Sequence, residues 1–176
     1  MGLDITAFSR VTKLDVELDE NDEPVNEAVY EDGIRAYVMG ERGQHDHLED
    51  RKFYSYEDAF GFRAGSYSGY NGWREMLAKL AGYPLTPIET FCGKTFSHAA
   101  ACWNGASGAF CELIDFPDNE GVIGPLTSAK LAKDFAEFDE RARTFDAGGD
   151  GWSYKQYCNW RKAFEFASDG GMVVFH

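Results

Sequence analysis

Residues 61–74, Gly61-Phe-Arg-Ala-Gly-Ser-Tyr-Ser-Gly-Tyr-Asn-Gly-Trp-Arg74, separate two halves of the chain that follow different periods. On the N-terminal side apolar residues recur at every second position. Leu3, Ile5 and Ala7 alternate with Asp4, Thr6 and Phe8, and Leu14, Val16 and Leu18 alternate with Asp15, Glu17 and Asp19. That period places successive side chains on opposite faces and reads as half-buried strands. Asp19 to Pro24 reads as a turn, with Pro24 halting the ladder. Ile34, Ala36 and Val38 suggest a third strand ended by Gly40, and residues 40–52 a polar loop.

On the C-terminal side the period becomes helical. Tyr70 to Ala81 puts Trp73, Leu77 and Leu80 on one face and stops at Gly82. Pro125 opens a second helix striped by Leu131, Phe135, Phe138 and Ala142. Ser153 caps a third, with Tyr157, Trp160, Phe164 and Ala167 inward. Gly108 to Phe116 and Met172 to Phe175 read as further strands. Strands followed by helices, without strict βαβα alternation, give an α+β fold: an antiparallel sheet with about three helices packed on one face.

The 176 residues suit a single globular domain, residues 1–176, with an acidic N-terminal hairpin at about 11–38. Apolar residues at 44% and aromatics at 15% supply a core and exclude intrinsic disorder. No run of eighteen apolar residues occurs, and the start lacks the basic and apolar regions of a signal peptide. A cytoplasmic, non-membrane protein is expected. Cys92, Cys102, Cys111 and Cys158 form no CxxC pair, which excludes zinc-knuckle and thioredoxin-type motifs. Reduced, mostly buried thiols are expected, a Cys102–Cys111 bridge being the alternative.

The net charge of −13 is concentrated. Nine acidic and no basic residues lie between Asp15 and Asp32, and removing those nine from the 30 acidic residues leaves 21 against 17 basic ones. Direct nucleic-acid binding is disfavoured, because phosphates would be repelled. Asp15, Glu17, Asp19, Glu20, Asp22 and Glu23 form a surface that can attract a protein with a basic face. The same row also serves a plainer purpose, since like charges keep an edge strand from pairing.

Three further groups carry chemistry. Residues 61–74 can place backbone N–H groups at a helix start, with Arg63, Ser66 and Arg74 for a small anion and Tyr67, Tyr70 or Trp73 for stacking. The spacing matches neither a P-loop nor GxGxxG, and a tight turn packed into the core explains it equally. His45 and His47, flanking Asp46, are candidate metal ligands, with a solvated polar loop as the alternative. The carboxylates of the Asp118 turn, and Asp146 and Asp150, can bind a divalent cation or simply cap turns. Ser97-His98 and Ser107 match no nucleophile signature, so no catalytic residue and no cofactor is assigned.

The opening Met1-Gly-Leu-Asp-Ile-Thr-Ala-Phe, the Gly65–Arg74 block, the Asp118-Asn-Glu-Gly-Val-Ile-Gly-Pro125 turn and the closing Phe175-His176 resemble a family of small uncharacterised phage and bacterial proteins. The resemblance implies a phage or mobile-element setting and carries over no catalytic residue. The leading expectation is an accessory protein that inhibits a host factor, such as a defence component, by non-covalent binding. The alternatives are a site for a nucleotide or other small anionic ligand, and a metal-dependent hydrolase.

Overall fold

Alternation at the start of the chain builds the first strand: Leu3, Ile5 and Ala7 are buried while Asp4 is exposed, and Leu3–Ser9 forms β1. The computed structural model describes residues 2–39, 43–91, 93–117, 120–145 and 153–176. In chain order there follow β2 (Thr12–Lys13), α1 (Val29–Asp32), β3 (Gly33–Arg35), β4 (Phe53–Ser55), β5 (Asp58–Gly65) and α2 (Tyr67–Ala81). Next come β6 (Thr86–Thr90), β7 (Gly93–Ser97), α3 (Ala100–Trp103), α4 (Cys111–Asp115) and β8 (Gly121–Ile123). The chain closes with α5 (Pro125–Glu137), α6 (Asp139–Thr144), α7 (Tyr154–Ala167) and β9 (Met172–Phe175). The fold is α+β. Sheets are ordered β5-β1-β9-β8, β2-β4-β3 and β6-β7, and the pairings of β9 with β1 and β8, of β4 with β2 and β3, and of β6 with β7 are all antiparallel.

The chain divides into two compact units. One comprises Met1–Asp4, Arg63–Asp118 and Lys130–Lys162. Its core is aromatic. Trp160 stacks on Tyr70 and Trp73 at 5.7 and 6.4 Å between ring centroids, and Phe135 meets Phe110 at 4.9 Å and Tyr157 at 4.8 Å. The buried Tyr157 hydroxyl donates to the Phe135 carbonyl at 2.6 Å. The other unit comprises Ile5–Phe62, Asn119–Ala129 and Ala163–His176. It is packed by Phe8, Ala36, Leu48, Tyr54, Val122, Met172 and Val174.

Several expectations are corrected. Gly108–Phe116 is not a strand. Phe110 adopts φ +61, its N–H donates to the Asp134 carboxylate at 2.8 Å, and its carbonyl accepts from Leu113 and Ile114, which starts α4. The helix expected from Tyr70 starts earlier: β5 runs to Gly65 and α2 begins at Tyr67, with Ser66 alone between them. Ser66 caps the helix by accepting from Gly69 N–H at 3.0 Å, and Gly65 makes the corner at φ +112. The helix opened by Pro125 breaks at Phe138 and resumes as α6, although Leu131, Phe135 and Ala142 stay buried as its stripe requires. The acidic arm Leu14–Leu18 is no continuous ladder: among the described residues, the arm beyond β2 carries a single isolated bridge, Leu18 to Pro24.

Close packing at β9 makes a stability test. A Cβ on Gly171 would sit 1.8 Å from the Phe8 carbonyl oxygen, whereas one on Gly72 within α2 meets nothing within 4 Å. Gly171→Ala is expected to cost about 1–3 kcal/mol by overpacking. Gly72→Ala is expected to add about 0.5–1 kcal/mol by removing a helix-interior glycine. Urea unfolding of the two variants checks the opposite signs.

Candidate functional site

The acidic arm keeps the alternation its sequence shows. Asp15, Glu17 and Asp19 are exposed while Leu14, Val16 and Leu18 are half-buried. Val25 N–H donates to the Glu17 carbonyl at 3.0 Å, and Asp19 N–H to the Glu23 carbonyl at 2.8 Å, so the two arms lie side by side. Glu20 and Glu23 are exposed at the turn. Asp19 has a structural task as well: its carboxylate accepts from the N–H groups of Glu23 and Asn21 at 2.9 and 2.8 Å, which hold it below the ordinary carboxylate range. Asp22 turns inward to Arg35, with a Nη2–Oδ2 separation of 2.5 Å, and Arg51 reaches the same carboxylate at 3.5 Å.

Arg35 connects this acidic turn to an aromatic cluster. Its guanidinium lies 5.3 Å from the Phe53 ring centroid and 5.7 Å from that of Tyr37, and Tyr30 packs edge-on against Phe53 at 5.7 Å. Beside it opens a pocket of about 430 Å³ lined by Tyr30, Ile34, Arg35, Tyr37, Glu120 and Phe175, among others. Val25, Tyr30 and Tyr37 are 60%, 52% and 41% exposed, which is high for large apolar side chains. The Asp22–Arg35 pair thus joins the acidic turn to the aromatics and to the pocket beside them. Arg35, Tyr30 and Tyr37 were not singled out by sequence; aromatics bordering an acidic run with no basic residue are the signal that marks them.

The residues expected to serve a small anion are dispersed. Arg63 is exposed, 3.4 Å from Asp4. Arg74 is buried, donates to the carbonyls of Phe116 at 2.6 Å and Ile114 at 3.3 Å and to Asn71, and stacks over Tyr70 and Trp103. It therefore serves the end of α4. Tyr70 is fully buried, its hydroxyl on the Leu113 and Phe116 carbonyls. A pocket of about 470 Å³ does exist at the start of α2, lined by Ser66, Gly69, Gly72, Trp73, Met76 and Gln156 among others, but neither arginine and not Tyr67 lines it.

His45 and His47 do not converge with other ligands: among the described residues no group of three or more His, Cys, Asp or Glu side chains can hold a metal ion. His45 Nδ1 lies 2.9 Å from the Leu48 carbonyl, and Asp46 between the histidines accepts from the N–H groups of Leu126 and Thr127. Asp118, Asp146, Asp150 and Cys92 lie outside the described residues. Ser97 donates to Glu75 rather than to His98, whose Nδ1 instead lies 2.6 Å from the Tyr83 carbonyl. Cys102 and Cys111 are free and buried on α3 and α4, not on a hairpin. Cys111 Sγ lies 3.2 Å from the Tyr83 hydroxyl, and interaction with the neighbouring Cys102 thiol draws Cys111 down to about 7 while Cys102 is driven up. Among the described residues no helix is long and apolar enough to cross a membrane.

No protein-family model, curated protein or solved structure matches the chain.

Two measurements check these placements. Arg74→Ala removes the charged donor from the Ile114 and Phe116 carbonyls, which keep the Trp103 and Tyr70 donors. It is expected to cost about 1.5–3 kcal/mol in chemical unfolding, as loss of a hydrogen bond from a charged group does. Arg63→Ala is expected to stay within about 0.5 kcal/mol, as surface changes do. For Glu75, burial pushes the carboxyl up, but hydrogen bonds from Ser97, His98 N–H and Ala99 N–H outweigh it and hold the group below its ordinary value. A depressed folded-state pKa means stabilisation present above the unfolded carboxylate range and lost as pH falls through the folded value. Melting temperatures of Glu75→Gln are therefore expected to fall less steeply with acid than those of the parent.

Proposed function

We propose that the chain is a phage-type accessory protein that binds and inhibits a host protein through its acidic surface, a defence component being the target that the phage-like sequence blocks suggest. The observation that carries the reading is the exposed row Asp15, Glu17 and Asp19, paired at Glu17 with exposed Val25, in an arm whose Asp22 meets the Arg35 that lies over exposed Tyr37. Protein interfaces combine a polar rim with an apolar, aromatic-rich centre, and buried aromatic anchors supply most of their affinity. The carboxylates would draw in a basic face and fix its orientation, while the aromatics would supply the buried area. A small anion at the start of α2 has less support, because Arg63 and Arg74 both turn elsewhere.

Asp19 is excluded from the test variant because it closes the turn. The triple change Asp15→Lys, Glu17→Lys and Glu20→Lys is expected to abolish capture of the partner from host lysate, identified by mass spectrometry against the parent chain. With the partner in hand, the association rate should fall about tenfold or more between low and high salt. Capture that survives the triple variant, with the fold intact by circular dichroism, sinks the reading.

A further inference from the structure

The sheet β2-β4-β3 ends at β3, and among the described residues no strand pairs with its outer edge. Its hydrogen-bonding parity follows from the neighbours. Leu14 N–H donates to the Phe53 carbonyl, so Phe53 faces β2, and the pair Arg35–Phe53 is a non-hydrogen-bonded one. Ala36 N–H donates to the Lys52 carbonyl, Arg51 N–H donates to the Ala36 carbonyl, and Val38 N–H donates to Asp50 Oδ1 at 2.9 Å. Ile34, Ala36 and Val38 thus face inward. Gly33, Arg35 and Tyr37 direct their backbone N–H and C=O groups the other way, and all three line the 430 Å³ pocket. Three alternate residues span about 13 Å at the strand rise of about 3.3 Å per residue. The pocket's remaining walls include Tyr30, Val174 and Phe175, which are apolar, and Glu120.

We propose that this edge receives an extended segment of the partner protein as an added antiparallel or parallel strand, with apolar side chains entering the pocket and basic ones alternating with them. The inference rests on the acidic-surface reading and names the form of its ligand. Charge selects the occupant. Glu31 and Asp32 are exposed immediately before Gly33, Glu120 stands at the pocket, and Arg35 is already matched by Asp22 and by Glu23 at 3.8 Å. A Lys- or Arg-bearing strand is complementary to this rim, whereas a second copy of a chain of charge −13 brings the same carboxylates against themselves. Backbone pairing supplies affinity in such strand addition, and pockets for alternate side chains supply specificity.

The probe is an array of eight-residue peptides with Lys at alternate positions and Val, Ile, Phe or Tyr between them, screened with the full chain. Selected peptides are then followed by amide hydrogen exchange. The expected result is binding, with exchange at Gly33, Arg35 and Tyr37 slowed tenfold or more while the β6 edge is unchanged. N-methylation of the peptide residues that face the edge should weaken binding at least tenfold, and replacing Lys by Glu should remove it. Absence of any binder, binding without protection of those three amides, equal binding of the Glu array, or protection that rises with protein concentration alone each overturns the proposal. If it is overturned while the triple lysine variant still abolishes partner capture, the edge fails and the acidic surface stands; if capture also survives, both fail.

Discussion

Arg35 is the cation on which the acidic surface depends. Nine carboxylates between residues 15 and 32 repel one another with no basic residue among them. Their turn is drawn back to the body of its unit where Asp22 meets Arg35 at 2.5 Å, with Glu23 at 3.8 Å. The arginine side chain is only 11% exposed, so its charge must be matched where water cannot match it. A planar guanidinium can do this and still lie over the Tyr37 and Phe53 rings, which a compact ammonium would not reproduce. One side chain therefore sets both the position of the carboxylates and the wall of the aromatic pocket, while its own backbone lies at the middle of the open edge.

The same economy governs the turn around Asp46. Pro125 starts α5, but Gly124 before it has no side chain with which to cap. Asp46 supplies the cap from 80 residues away, accepting from Leu126 and Thr127 N–H groups at 2.7 and 2.9 Å. Gly124 is needed because a Cβ there would come within 2.6 Å of the Asp46 carboxylate and 2.5 Å of the His45 carbonyl. The histidines flank an aspartate occupied by the helix it caps. A polar tripeptide that suggests metal chemistry is thus the visible half of a packing contact whose other half lies far along the chain.

Elements whose cause is local were legible. β1 and β9 carry their own β-type residues, α7 its own apolar stripe, and the outward row Asp15, Glu17, Asp19 follows from alternation alone. The errors fall where a distant residue decides. Phe110 takes a left-handed conformation with its N–H on Asp134, and an apolar run that reads as strand becomes α4. Phe60, Phe62 and Ala64 do alternate with exposed Ala59, Gly61 and Arg63, yet the glycines at 61 and 65 pointed to a turn rather than a strand. Arg63 and Arg74 looked equivalent because composition does not show that one faces solvent and the other the end of α4. The open edge was beyond sequence altogether, since which strand lacks a neighbour depends on every other pairing in the sheet.

An unpaired edge is ordinarily a hazard, and proteins blunt it with charge, proline or a bulge. The β6-β7 hairpin follows that practice with Pro87 and Lys94 in its strands. At β3 the protection is different. A bulge sits on the inner side, where Arg51 at φ +57 and Lys52 both oppose Ala36, and it twists the sheet without closing the outer edge. What guards that edge is the surrounding negative charge, which opposes an acidic strand, another copy of this chain included. It does not oppose a cationic one. A single arrangement of carboxylates thus discourages self-assembly and, in the proposed role, admits a basic partner, so solubility and recognition become two consequences of the same electrostatic field.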